Sequence, residues 1–305
     1  MKGTFVQSSN VLAPFSGWHF ARPQVAESYL KTLSSGVMLS TTIQAPEKSG
    51  LTNFLINDVI PSASHEKFVT VYVDLSDPLL PVSAAVINGL ERVLMGSTAI
   101  YSGFNIFKGI FHTRNPQVCE RGRYLNKPKI IDKNFFLENK EKTFELIKIY
   151  FKKILSYKSV LILIDHSDNL MKDEADLEFC DYFRSLIISN AQDIRPLYAS
   201  SNKEAWRGIF ESRHSPLYSE GAFVHNLPAL GKNFMREVVL RSGLNISMDE
   251  GLSCYEMTGE RPGIFTALIM AFGSSGSKSI TTYFHQQLFM VEEKKPMMNR
   301  SSWAA

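Results

Sequence analysis

Short apolar runs alternate with helical patterns through most of the chain. Residues 37–44 have the composition of a β-strand and end in the turn-forming stretch 45–50. Apolar residues then recur at helical spacing over 51–60, and a second strand pattern covers 68–75. A strand, loop, helix and strand in this order predict a βαβ unit with a parallel sheet.

The later patterns extend this alternation and then end it. The run 159–165 is apolar throughout and closes on an aspartate, which indicates a strand buried on both faces. Further helices are predicted at 23–33, 82–95, 137–155 and about 172–190, and a further strand at 195–199. From residue 230 only helical patterns follow, at 231–242, 247–257, 262–272 and 279–290. These patterns predict an α/β fold with a mostly parallel sheet, followed by a small helical subdomain.

The same patterns give a domain division. We predict an N-terminal arm at 1–20, an α/β core at 21–228 and a helical lid subdomain at 229–291. Residues 100–135 have weak periodicity and are expected to form an irregular excursion from the core. The remaining residues, 292–305, are expected to be a disordered tail.

Composition narrows the classes of partner. Hydrophobic residues make up 44% of the 305 residues, as in a protein with a real core, and the net charge is only +3. The whole molecule is therefore not an electrostatic match for nucleic acid or for an anionic membrane. No apolar run has the length of a membrane helix or a signal peptide, and the three cysteines have no zinc-binding spacing. We therefore expect a cytoplasmic protein that does not enter a membrane.

The turn after the first strand partly matches a phosphate-binding loop. That loop follows the pattern G-x-x-x-x-G-K-[ST], in which backbone N–H groups, a lysine and a hydroxyl hold phosphates and Mg²⁺. In residues 45–52, Gly50 and Thr52 match the pattern, whereas Ala45 replaces the first glycine and Leu51 replaces the lysine. Lys48 is a candidate for a relocated lysine.

Five segments in order resemble the STAND-type P-loop ATPases, a branch of the AAA+-like NTPases. They are APEKSGLTNFLINDVIPSA, the Walker B-like SVLILIDHSDNL, the sensor-like YASSN, the LPALGKNF segment and TGERP. The resemblance implies a P-loop NTPase core of three layers with a helical lid. It also implies a nucleotide site made of Lys48, Ser49, Gly50, Thr52, Asn202 and Pro262, with Mg²⁺ held at Thr52 and Asp165.

Two departures from the family pattern concern catalysis. Leu51 stands at the phosphate-binding lysine, and His166 stands at the glutamate that orients the attacking water. Phosphoryl transfer depends almost entirely on such positioning and charge stabilisation. These departures predict a degenerate member: a catalytically impaired nucleotide-binding protein or a pseudo-ATPase. The resemblance implies that it acts as a regulatory or interaction module in a prokaryotic cytosol. Its ligand would be ATP or ADP with Mg²⁺, or none, and its partner another protein or a second copy.

Other interpretations stay open at this point. Asp165 and Thr52 also have plain structural roles available, at a strand end and in the first turn of a helix. An active ATPase that uses Lys48 is one alternative function. A DNA-associated AAA+ regulator is another, with Arg121 and Arg123 in a basic stretch as its contacts, although nucleic acid is the less favoured partner.

Two further arginines are weighed as candidates for catalysis in an oligomer. Arg207 and Arg213 follow the sensor-like strand, where a trans-acting arginine would lie. Surface arginines on a helix are common, so the plainer interpretation is a solvated helix face.

Overall fold

The computed structural model describes residues 18–66, 68–100, 139–218, 220 and 223–293, with side chains left out at 96–100 and 289–293. Most of the predicted arm, the excursion with Arg121 and Arg123, and nearly all of the predicted tail lie outside these residues. The chain divides into two compact units. The core unit comprises Ala21–Pro46 and Leu51–Leu227, and the helical unit comprises Glu47–Gly50, Pro228–Ala305 and the described part of Met1–Phe20. The predicted domain boundaries stay a prediction.

The core unit contains a five-stranded sheet in which every pairing is parallel, as the sequence predicts. The strands are β1 (Thr41–Gln44), β2 (Val69–Asp74), β3 (Val160–Asp165), β4 (Ile194–Ser200) and β5 (Val224–Asn226), in the spatial order β2-β3-β4-β1-β5. Because β1, β3 and β4 are internal, their side chains are almost all buried. The edge strand β5 was not predicted, since it has three residues and no apolar run.

Helices cover both faces of this sheet. They are α1 (Pro23–Ser34), α2 (Leu51–Phe54, a π-helical stretch Leu55–Val59, and Ile60–His65), α3 (Val82–Ile100), α4 (Lys140–Leu155), α5 (Glu174–Ser189) and α6 (Lys203–Phe210). Strand β3 shows the two faces: Leu161 and Leu163 pack into an apolar cluster with α1 and α2. Val160 and Ile162 pack into a second cluster with residues of α3, α4, α5 and α6. The core unit is therefore a three-layer α/β structure, as predicted.

The helical unit has an apolar core of its own. Its helices are α7 (Gly231–Ser242), α8 (Met248–Met257), α9 (Pro262–Ser275) and α10 (Ile280–Glu293), within two or three residues of the predicted bounds. Phe234, Phe265 and Phe284 are almost fully buried between them. Ser247 and Glu250 form a capping box at the start of α8. Among the described residues, no helix is long and apolar enough to cross a membrane.

Candidate functional site

The carboxylate of Asp165 is the centre of a polar cluster at the carboxyl end of the sheet. The Thr52 hydroxyl donates a hydrogen bond to Oδ2 at 2.7 Å, and the Tyr72 hydroxyl donates to the same oxygen at 2.9 Å. The backbone N–H of His166 donates to Oδ1 at 2.9 Å. Asp165 is only 2% exposed, so these three donors offset the loss of hydration of its charge. The structure thus brings together Thr52 and Asp165, the two predicted metal-binding residues.

Tyr72 belongs to this cluster and was not predicted. It lies on β2, where it is paired with Leu163, two residues before Asp165 on β3. Burial, followed by the carboxylates of Asp165 and Asp74, raises the pKa of Tyr72 far above its ordinary value. The phenol therefore stays protonated at neutral pH and acts as a hydrogen-bond donor. The sequence offered one sign of this role, which is that a tyrosine with its hydroxyl stands within the apolar strand pattern 68–75.

The position at which the P-loop pattern places a lysine is a core position in this chain. Leu51 is 8% exposed and packs in the apolar cluster with Ala45, Phe54 and Leu163. A phosphate-binding lysine needs its side chain directed to a solvated, anionic ligand. At this position the chain instead buries an aliphatic group, so the first turn of α2 offers phosphate no positive side chain.

The loop residues before Leu51 belong to the helical unit, where the loop backbone is bonded to α9. The Lys48 carbonyl accepts a hydrogen bond from the Gly263 N–H at 2.8 Å. A Cβ atom at Gly263 would lie 3.1 Å from that carbonyl oxygen, so glycine is needed for this approach. The Lys48 side chain is exposed, and the Ser49 hydroxyl is buried without a hydrogen-bond partner in the described structure. Such an orphaned hydroxyl fits a loop that would accept a polar ligand.

The remaining predicted residues have local roles. The side chain of Asn202 caps α6 by accepting hydrogen bonds from Glu204 and Ala205. Pro262 is buried in the first turn of α9. Arg207 is exposed and forms an ion pair of 3.6 Å with Glu211 on the same helix. Arg213 is also exposed.

Backbone strain coincides with the motif segments. Among the described residues, three that are not glycine have a positive φ: Lys48 (65°), His166 (54°) and Glu260 (54°). They lie in the loop, the Walker B-like segment and the TGERP segment, respectively. Left-handed conformations cost a residue with a side chain about 1–2 kcal/mol, and such strain concentrates at functional sites.

The donor atoms at Asp165 fit Mg²⁺ in type. Mg²⁺ prefers oxygen ligands and commonly uses one or two protein groups, with phosphate and water completing its coordination. Thr52 and Asp165 supply a hydroxyl and a carboxylate of this kind. Within the described part of the chain, no group of three or more His, Cys, Asp or Glu side chains could hold a metal ion, so Thr52 and Asp165 are the candidate ligands.

Solved structures with the same architecture include a Walker-type ATPase of Pyrococcus abyssi and Cdc6p of Pyrobaculum aerophilum. The first aligns with a TM-score of 0.53 at 12% identity, over 90% of this chain and 75% of the other. The second aligns with a TM-score of 0.51 at 13% identity, over 91% and 69%. The fold is that of the AAA+ P-loop NTPases. No family model matches the sequence, and no curated protein matches it either.

Proposed function

We propose that this chain is an AAA+-type protein that binds a nucleotide but hydrolyses it poorly, and that works as a regulatory or interaction module. The observation that carries the proposal is the burial of Leu51 in the apolar core at the position of the phosphate-binding lysine. The hydroxyl and carboxylate of Thr52 and Asp165 support retained binding, because they are hydrogen-bonded to each other at the end of the sheet.

Hydrolysis is expected to be weak for two physical reasons. Catalysis of phosphoryl transfer needs positive charge on the γ-phosphate and a group that orients the attacking water. Leu51 supplies no charge, and His166 replaces the water-orienting glutamate. His166 also adopts a left-handed backbone conformation, with its N–H donated to Asp165. Binding places fewer demands on these positions, because backbone N–H groups at a helix start attract phosphate without a lysine.

The predicted nucleotide contacts complete this proposal. ATP or ADP would bind at Lys48, Ser49, Gly50, Thr52, Asn202 and Pro262, and Mg²⁺, where present, at Thr52 and Asp165. The metal would contribute positive charge that offsets the negative charge of the phosphates. A STAND-like regulator of this kind would act in the cytoplasm by binding a protein partner or a second copy of itself. The DNA-associated alternative stays a prediction, because Arg121 and Arg123 lie outside the described residues.

Equilibrium binding of a fluorescent ATP analogue with Mg²⁺ tests the proposal. We expect micromolar binding to the wild type, at least tenfold weaker binding to Asp165→Ala, and wild-type binding to Asp181→Ala, an exposed aspartate on α5. Phosphate release should stay at background in all three proteins. Absence of binding to the wild type at millimolar analogue would contradict nucleotide binding, and rapid turnover lost in Asp165→Ala would identify an active ATPase.

A further inference from the structure

One oxygen of Asp165 carries two hydrogen bonds. Oδ2 accepts from both Thr52 and Tyr72, while Oδ1 accepts from the His166 N–H. An ionised carboxylate has about four accepting positions. Three of them are thus occupied by groups of the protein itself, and those of Oδ2 are full.

Tyr72 differs from the other two donors. Thr52 follows the loop in a recognised motif, and the His166 N–H is adjacent to Asp165 along the chain. Tyr72 reaches Asp165 from a neighbouring strand, and its hydroxyl donates to Oδ2 at 2.9 Å. Helix α3 lies tightly against this strand, because a Cβ atom at Gly89 would be 2.8 Å from the Tyr72 carbonyl oxygen. The backbone of the strand is therefore fixed at Tyr72 by α3, and the Tyr72 ring packs against the apolar cluster that contains Leu161 and Leu163.

We propose that Tyr72 is a further residue of the site, and that its hydroxyl weakens the binding of divalent cations by occupying an accepting position on Asp165. The inference rests on the proposed function in one respect. If the chain binds a nucleotide, Tyr72 makes that binding less dependent on Mg²⁺ than it would be in a site without this tyrosine. A cation at Asp165 must draw on a carboxylate whose charge is already shared among three donors. Removing one donor frees an accepting position and restores charge to Oδ2.

The test is a titration of each protein with Mn²⁺, followed by electron paramagnetic resonance of the free ion. Tyr72→Phe keeps the ring and removes the hydroxyl, and we expect it to bind Mn²⁺ roughly tenfold more tightly than the wild type, in line with a lost hydrogen bond to a charged group. Tyr150→Phe is the matched control, because the Tyr150 hydroxyl donates to another carboxylate, that of Glu91, at 3.2 Å. The control should bind Mn²⁺ like the wild type. Tyr72→Leu gives a second variant without the hydroxyl and should shift in the same direction.

Opposite results overturn the inference. A donor that only orients the carboxylate would make the metal bind more weakly on removal, by about tenfold or more. Weaker binding in Tyr72→Phe, equal binding in the two proteins, or no Mn²⁺ binding in either would each reject the proposed role. Binding of the fluorescent analogue without metal forms a separate arm. Its failure would reject nucleotide binding, whereas the comparison with Mn²⁺ alone would still decide the role of Tyr72.

Discussion

At the scale of single residues, the features of the candidate site differ in how far the sequence could predict them. The identity of Leu51 and His166 follows directly from aligning the loop and the Walker B-like strand with a known pattern. The burial of Leu51 in the cluster that also contains Leu163, and the hydrogen bond between Thr52 and Asp165, required the structure. Tyr72 could not be predicted, because its contact with Asp165 depends on which strand neighbours β3, and no short pattern encodes that.

Lys48 allows the relocated-lysine alternative to be tested together with strain. Its φ of 65° suits glycine, so we expect Lys48→Gly to raise the free energy of unfolding by up to about 1 kcal/mol. Lys31→Gly, at an exposed lysine within α1, should instead lower it by about 1 kcal/mol. Chemical denaturation measures both changes.

The same variant tests the role of the side chain. We expect Lys48 to meet the nucleotide through its backbone, which is hydrogen-bonded to Gly263, and not through its amine. Lys48→Gly should then keep the affinity for the ATP analogue within about twofold of the wild type. A tenfold loss of affinity, without a similar loss in Lys31→Gly, would show that the amine contacts phosphate.

At the scale of elements, the spacing of apolar residues predicted the strands and helices whose side chains are buried in a regular pattern. The run 159–165 indicated a doubly buried strand because it lacked polar alternation. In the structure this strand is β3, which lies between β2 and β4 and is buried throughout. Helices with clear amphipathic spacing, such as α4, were found within a few residues of their predicted bounds. The π-helical stretch in α2 was not predicted, since its residues have the same apolar spacing as an ordinary helix.

The contact between α3 and β2 gives a prediction at this scale. A methyl group at Gly89 would lie 2.8 Å from the Tyr72 carbonyl oxygen, so Gly89→Ala should lower the free energy of unfolding by about 1–3 kcal/mol. Gly208→Ala is the matched control, because the Cβ atom at that position of α6 meets no atom within 4 Å. The control should be neutral or more stable by up to about 1 kcal/mol. Equal effects in urea denaturation would mean that α3 can move away from the strand at no cost.

At the scale of the whole molecule, the order of strands and helices carried most of the information. Strands joined by helices, followed by helices alone, predicted a parallel sheet and a separate helical part before any strand order was known. The order β2-β3-β4-β1-β5 was not predictable, because the connections between strands are long enough to allow several arrangements. Two solved structures share this architecture at 12–13% identity, so very different sequences can build the same fold.

The reaction rates of two buried cysteines can report separately on the opening of each unit. Cys180 lies in the core unit and Cys254 in the helical unit, and both are free thiols with no exposed surface. Burial raises the pKa of both, that of Cys254 to about 11, so neither reacts until its surroundings open. In a Cys119→Ser background, a thiol reagent should modify the two sites at distinct rates, because each unit has its own apolar core. Equal modification rates at the two cysteines would mean that both units open together. A modification rate that falls when ATP is added would show which unit the nucleotide stabilises.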